Sequence, residues 1–190
     1  MKSRLKGFSD LQANVDSPEA SEVKRYLSNL KPDEYKAAIE ELTAAGVYIH
    51  GTHVAGIAAA GNPYARIAIA RIEFGHTLQP DPCPSLELAQ KDARNTQAYV
   101  EFFRRHRVRV VNMSFGGSVG DVEGQLEQCG IGRTADERRK IAREWFDIGK
   151  EAFVKAMASA PEILFVAAAG NENADSTFAE SIPADIVLPN

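Results

Sequence analysis

Three short apolar runs, at 47–49, 108–113 and 163–167, each break into a cluster of small and polar residues that contains glycine. A fourth run, 65–72, is apolar enough for burial on both faces, as central strands of parallel sheets are. Segments of helical periodicity separate these runs. Strands alternating with helices predict an α/β fold, a parallel β-sheet flanked by helices on both faces. Function in such sheets gathers at the carboxyl ends of the strands, and the three clusters fall there.

The helical segments carry their own start signals. Residues 1–16 read as irregular and polar, after which Ser17-Pro18-Glu19 supplies an N-cap with proline in the first turn. Val23, Leu27 and Leu30 form the stripe of the helix that follows. Lys31-Pro32-Asp33-Glu34 opens a second helix with Tyr35, Ala38, Ile39 and Leu42 on one face, and Gly46 is its expected stop. The small-residue stretch from Val54 to Ala60 reads as a tightly packed helix. Pro80, Pro82 and Pro84 precede a helix over about 85–106, whose stripe is Ala89, Ala93, Thr96, Val100 and Phe103. Thr134 to Glu137 fits a capping box for a long helix with Ile141, Trp145, Ile148 and Ala152 inward, ended by Pro161.

Composition narrows the function classes. The chain has 190 residues with 44% hydrophobic and 25% charged, an ordinary globular balance. Its 22 Lys plus Arg against 26 Asp plus Glu give a net charge of −4 and no basic footprint for nucleic acid. No apolar run is long enough to predict a membrane span. Cys83 and Cys129 do not make a disulfide framework; scattered cysteines are more often free thiols, though export would allow one bridge. Lys2, Arg4 and Lys6 have no apolar run behind them, so no signal peptide is read, and the compartment stays open.

Each cluster suggests chemistry. In His50-Gly51-Thr52-His53-Val54-Ala55-Gly56, a histidine in a helix's first turn is kept neutral by the macrodipole and can act as a base. The local alternative is a histidine bound in a helix cap. Val110-Val111-Asn112-Met113-Ser114-Phe115-Gly116-Gly117 is a strand end able to accept an extended peptide as a further strand. Val166-Ala167-Ala168-Ala169-Gly170-Asn171-Glu172 suits a shallow pocket floor with an amide at its edge, able to hold a developing oxyanion. An ordinary strand exit and an Asn in a turn are the alternatives for these two.

In this order the three clusters resemble the signatures of the subtilases, the subtilisin-like serine proteases. The resemblance implies that His50 is the general base and Asn171 the oxyanion donor. It implies that Ser114, Phe115 and Gly116 line the substrate site with their backbones, and that Ala168, Ala169 and Gly170 wall the primary specificity pocket. Ile182-Pro183-Ala184 is similar to the Pro-Ala step that follows in the family. A polypeptide bound in extended form is the implied partner, with no cofactor and no metal. The family is mostly extracytoplasmic.

The sequence also departs from the pattern. A subtilase triad runs Asp, His, Ser, and the only Gly-Thr pair is Gly51-Thr52, so no nucleophile motif follows Asn171. Asp16-Ser17 is the nearest match to the aspartate motif, but Pro18 replaces its glycine. The triad aspartate is therefore expected upstream of Met1. The expectation is a partial catalytic domain, its sheet incomplete at both ends, with about 119–161 as a family-internal insertion. A catalytically inactive pseudoprotease or peptide-binding fragment is the alternative.

Two other readings are weaker. Gly116-Gly117-Ser118-Val119-Gly120 has the form of a hydrolase nucleophile elbow, but all four histidines precede Ser118 and that fold requires one after it. His50 and His53 with Glu73 or His76 could face one ion, yet the glutamate of the His-Glu-x-x-His motif is absent.

Overall fold

The computed structural model describes residues 2–170 and 180–188. The chain forms two compact units, Met1–Ala65 with Ile72–Asp81, and Arg66–Arg71 with Pro82–Asn190.

The first unit is helical. The segment expected to be irregular forms α1 (Lys2–Gln12), followed by α2 (Pro18–Ser28) and α3 (Pro32–Ala59). Leu5, Phe8 and Leu11 recur along one face of α1 and pack with Val23, Leu27, Ile39 and Leu42. The charged residues around that face masked its periodicity. Ser17 caps α2 as expected, its hydroxyl accepting from the Ala20 amide at 3.0 Å. Gly7 lets α1 and α2 touch: a Cβ there would sit 2.2 Å from the Glu19 carbonyl oxygen.

Two further expectations fail in this unit. Gly46 does not stop the helix and 47–49 is not a strand, because α3 runs through both. An isolated strand leaves its backbone groups unpaired, whereas a helix satisfies them within the segment. Glycine inside the helix costs only about 1 kcal/mol, too little to break it. The small-residue stretch is helical, but as the end of α3 and not as a separate helix.

The run at 65–72 forms no strand, and Ile67, Ile69 and Ile72 are exposed. Strand propensity alone does not hold a strand that lacks a neighbour.

The second unit builds a small α/β core. Its elements are α4 (Leu86–Arg105), β1 (Val110–Met113), β2 (Gly117–Ser118), α5 (Val119–Gln128), α6 (Ala135–Ala158), β3 (Leu164–Ala167) and β4 (Ser181–Ile182). Ser85 and Thr134 cap α4 and α6 through the amides of Leu88 and Glu137, both at 3.1 Å. β1 pairs parallel with β3 in the register Val110 to Leu164 through Met113 to Ala167. β2 pairs antiparallel with β4.

Val100, Val111, Met113, Ala156, Met157, Ala160 and Ile163 form the core, with Phe103, Phe115, Phe153 and Phe165 against it. Val100 and Phe103 belong to the expected stripe of α4. On α6 the buried positions are Ala142, Phe146, Ala156 and Met157, and the expected Ile141, Trp145, Ile148 and Ala152 are half-buried, the first two lying one residue before Ala142 and Phe146. Apolar residues at both offsets leave the register of that stripe to the neighbouring elements.

The mixed helix and strand class holds, but among the described residues helices cover only one face of the two-stranded parallel sheet. Val110, Asn112, Leu164 and Val166 lie exposed on the other. Run 163–167 is therefore not a strand buried on both faces, for no layer lies over its outer side among the described residues.

The cysteines are not free thiols: Cys83 is bonded to Cys129. Cys83 precedes α4 and Cys129 caps the C-terminus of α5, a proximity that the 46-residue spacing does not reveal.

Candidate active site

The carboxyl ends of β1 and β3 carry two of the expected clusters. Parallel pairing sets Asn112 opposite Val166 and Met113 opposite Ala167, and the Ala168 amide then donates to the Met113 carbonyl at 3.1 Å. The structure thus brings the segment beginning at Ser114 together with the segment beginning at Ala168. Ala168, Ala169 and Gly170 are exposed, and Gly170 has a φ of 99°, a conformation that favours glycine.

Ser114, Phe115 and Gly116 differ in what they present. The Asn112 side-chain amide donates to the Ser114 hydroxyl at 2.8 Å. The Phe115 ring packs against the core and lies 6.3 Å from Phe153. Gly116 is closely approached: a Cβ there would lie 3.4 Å from the Ile182 carbonyl oxygen and from the Ser181 hydroxyl.

His50 belongs to the first unit, deep within α3 and exposed, its ring centroid 6.4 Å from that of Phe74 in an edge-on arrangement. This corrects the expectation of a first-turn histidine. The helix dipole acts within a terminal turn and does not reach a residue in mid-helix. Gly51 and Gly56 have open space where a Cβ would stand, so neither serves close packing of the helix. Asn171 lies outside the described residues.

Ser118 of the hydrolase-like match is a cap. Its hydroxyl accepts from the Asp121 amide at 3.2 Å and donates to the Asp121 carboxylate at 2.8 Å. Among the described residues no group of three or more His, Cys, Asp or Glu gathers to hold a metal ion. Among them too, no helix is long and apolar enough to cross a membrane.

Sequence reasoning missed the groups that fasten residues 180–185. Arg143 of α6 makes a two-pronged ion pair with Glu180, one prong at 2.9 Å, and Lys150 reaches Asp185 at 2.7 Å. The bond from Arg143 holds the Glu180 carboxyl below the usual carboxylate range and raises the guanidinium in turn. Both pairs span more than 30 residues, and the only local signal is two cations seven apart on one helix.

No curated protein and no solved structure matches the chain. The sequence model of the Subtilase family matches residues 10–186, a span that contains all three clusters and both strand pairs. The chain belongs to the subtilase family of serine proteases.

Proposed function

We propose that this chain contributes to a serine endopeptidase of the subtilisin type that hydrolyses peptide bonds in an extended polypeptide. In this reading the backbones of Ser114, Phe115 and Gly116 bind the substrate as an added strand. Ala168, Ala169 and Gly170 wall the pocket for the side chain before the scissile bond. His50 takes the proton from a nucleophilic serine and later returns it to the leaving amine, while Asn171 donates to the oxyanion. The pairing of β1 with β3, which joins residues 114–116 and 168–170 at one sheet end, is the observation that supports this reading.

Residues 1–190 contain no Gly-Thr-Ser motif, and Asp16 stands before Ser17-Pro18 rather than before a glycine turn. The nucleophile and the triad acid are therefore not assigned to any residue here. Residues 119–161, which hold α5 and α6, are read as an insertion within the family's domain.

Three measurements test the proposal. The chain alone hydrolyses no casein and takes no label from a serine-directed phosphonate; cleavage blocked by that reagent overturns the assignment. A casein-derived peptide slows amide exchange at 114–116 and 168–170. Protection confined to other residues removes the substrate-binding role. In a protein joining this chain to a nucleophilic serine, His50→Ala lowers kcat by about 10²–10⁴-fold. Peptide binding without any hydrolysis in that protein marks an inactive, peptide-binding relative instead.

A further inference from the structure

We propose that α6 straps the candidate substrate strand: Arg143 and Lys150 are positioning residues that hold 180–185 against the exit of Ser114, Phe115 and Gly116. The strap rests on reading 114–116 as the substrate strand, but its mechanics stand on their own geometry.

Seven residues are nearly two helical turns, so Arg143 and Lys150 share one face of α6 about 10 Å apart along its axis. Their partners, Glu180 and Asp185, flank β4 on either side. The two-pronged contact orients Glu180 as well as attracting it. Asp185 is the more enclosed partner, its side chain 8% exposed.

Between the two cations the isoleucine of β4 meets the helix. A Cβ on Gly149 would stand 3.5 Å from the Ile182 side chain. On its other side the same segment touches the strand exit, with the Ile182 carbonyl and Ser181 hydroxyl against Gly116. Gly117 pairs with Ile182 and Ser118 with Ser181. A ladder of two residues is too short to hold itself. The ion pairs on α6 supply the missing restraint, and β4 lies within van der Waals reach of both Gly116 and Gly149.

The strap has a titration of its own. Glu180 faces Arg143 and Lys150 on α6 and has Asp185 on its own segment; Arg143 also reaches Asp147 at 3.8 Å, and the adjoining Ser118 is bonded to Asp121. Its depressed carboxyl keeps the pair with Arg143 intact through the ordinary carboxylate range and releases it as pH falls through the lowered value.

Amide hydrogen exchange on the 190-residue chain, corrected for the intrinsic pH dependence of exchange, tests this. In R143Q/K150Q, protection at 117–118 and 181–182 falls about tenfold or more, the scale of losing charged hydrogen bonds, while β1 and β3 stay within about twofold. The wild-type chain loses protection at 117–118 in a step on the acid side; R143Q lacks the step and R143K restores it. A casein-derived peptide protects 114–116 less in R143Q/K150Q than in wild type. Unchanged protection at 117–118 overturns the strap, and so does an equal loss across β1 and β3. An intact acid step with no peptide protection in the wild-type chain overturns the substrate reading and not the strap.

Discussion

The amide of Ala168 donates to the carbonyl of Met113 across 3.1 Å, directly beyond the last paired residues of β1 and β3. This bond carries the parallel register one step past the strands and so sets where the Ser114 and Ala168 segments part. Ala168→Pro removes this donor and leaves the carbonyl of buried Met113 without it. The expected loss is about 1–3 kcal/mol in the unfolding of the second unit, with Ala168→Gly as the control that keeps the N–H. Equal stability of the two variants in a urea titration would argue against the bond.

The disulfide makes a larger prediction. Closing a loop of 46 residues between Cys83 and Cys129 restricts the unfolded chain by about 4 kcal/mol in the loop-entropy estimate. The variant with both cysteines changed to serine, and the reduced wild-type chain, unfold at lower urea by a corresponding margin. Coincident curves for oxidised and reduced protein refute the link.

Gly7 tests the helical unit. Gly7→Ala would drive a methyl into the Glu19 carbonyl and the Val23 side chain, so α1 and α2 must separate. Overpacking of this kind costs about 1–3 kcal/mol or more. Far-ultraviolet circular dichroism during urea unfolding reads it as earlier loss of helix. A variant as stable as the wild type removes the claimed contact.

Acid sensitivity in the same unit follows from Lys6. It binds Asp10 at 2.7 Å and Glu19 at 3.2 Å. Bonds from Lys6 and Ser17 hold Asp10 below the usual carboxylate range, and a backbone hydrogen bond at Glu19, aided by Lys6, does the same there. Depressed carboxyls contribute stability above their unfolded values and lose it as pH falls through the lowered ones. Lys6→Gln therefore moves the acid onset of helix loss to higher pH. An onset that does not move shows that these pairs add nothing measurable. The raised ammonium of Lys6 gives the opposite edge, its contribution fading as pH rises through the folded value.

The helix starts at Ser17, Ser85 and Thr134 were readable because caps are local: one side chain meets an amide three residues on. Run 108–113 was readable as a strand for most of its length, since β1 found β3 as a partner. Runs 47–49 and 65–72 have similar apolar character and form no strand, because pairing depends on a neighbour that periodicity does not report. His50 shows the same limit. Its motif was recognisable in the sequence, but its place within a helix depended on whether α3 broke at Gly46.

By itself the sequence determined the family, the helix caps and the order of the three clusters, all of which rest on contacts or motifs within a few residues. Only the tertiary structure decided that Cys83 meets Cys129, that the helices cover one face of β1 and β3, and that Arg143 and Lys150 grip Glu180 and Asp185. The disulfide and the two ion pairs join residues 35 or more apart in the chain, where packing and charge choose partners that no local pattern names.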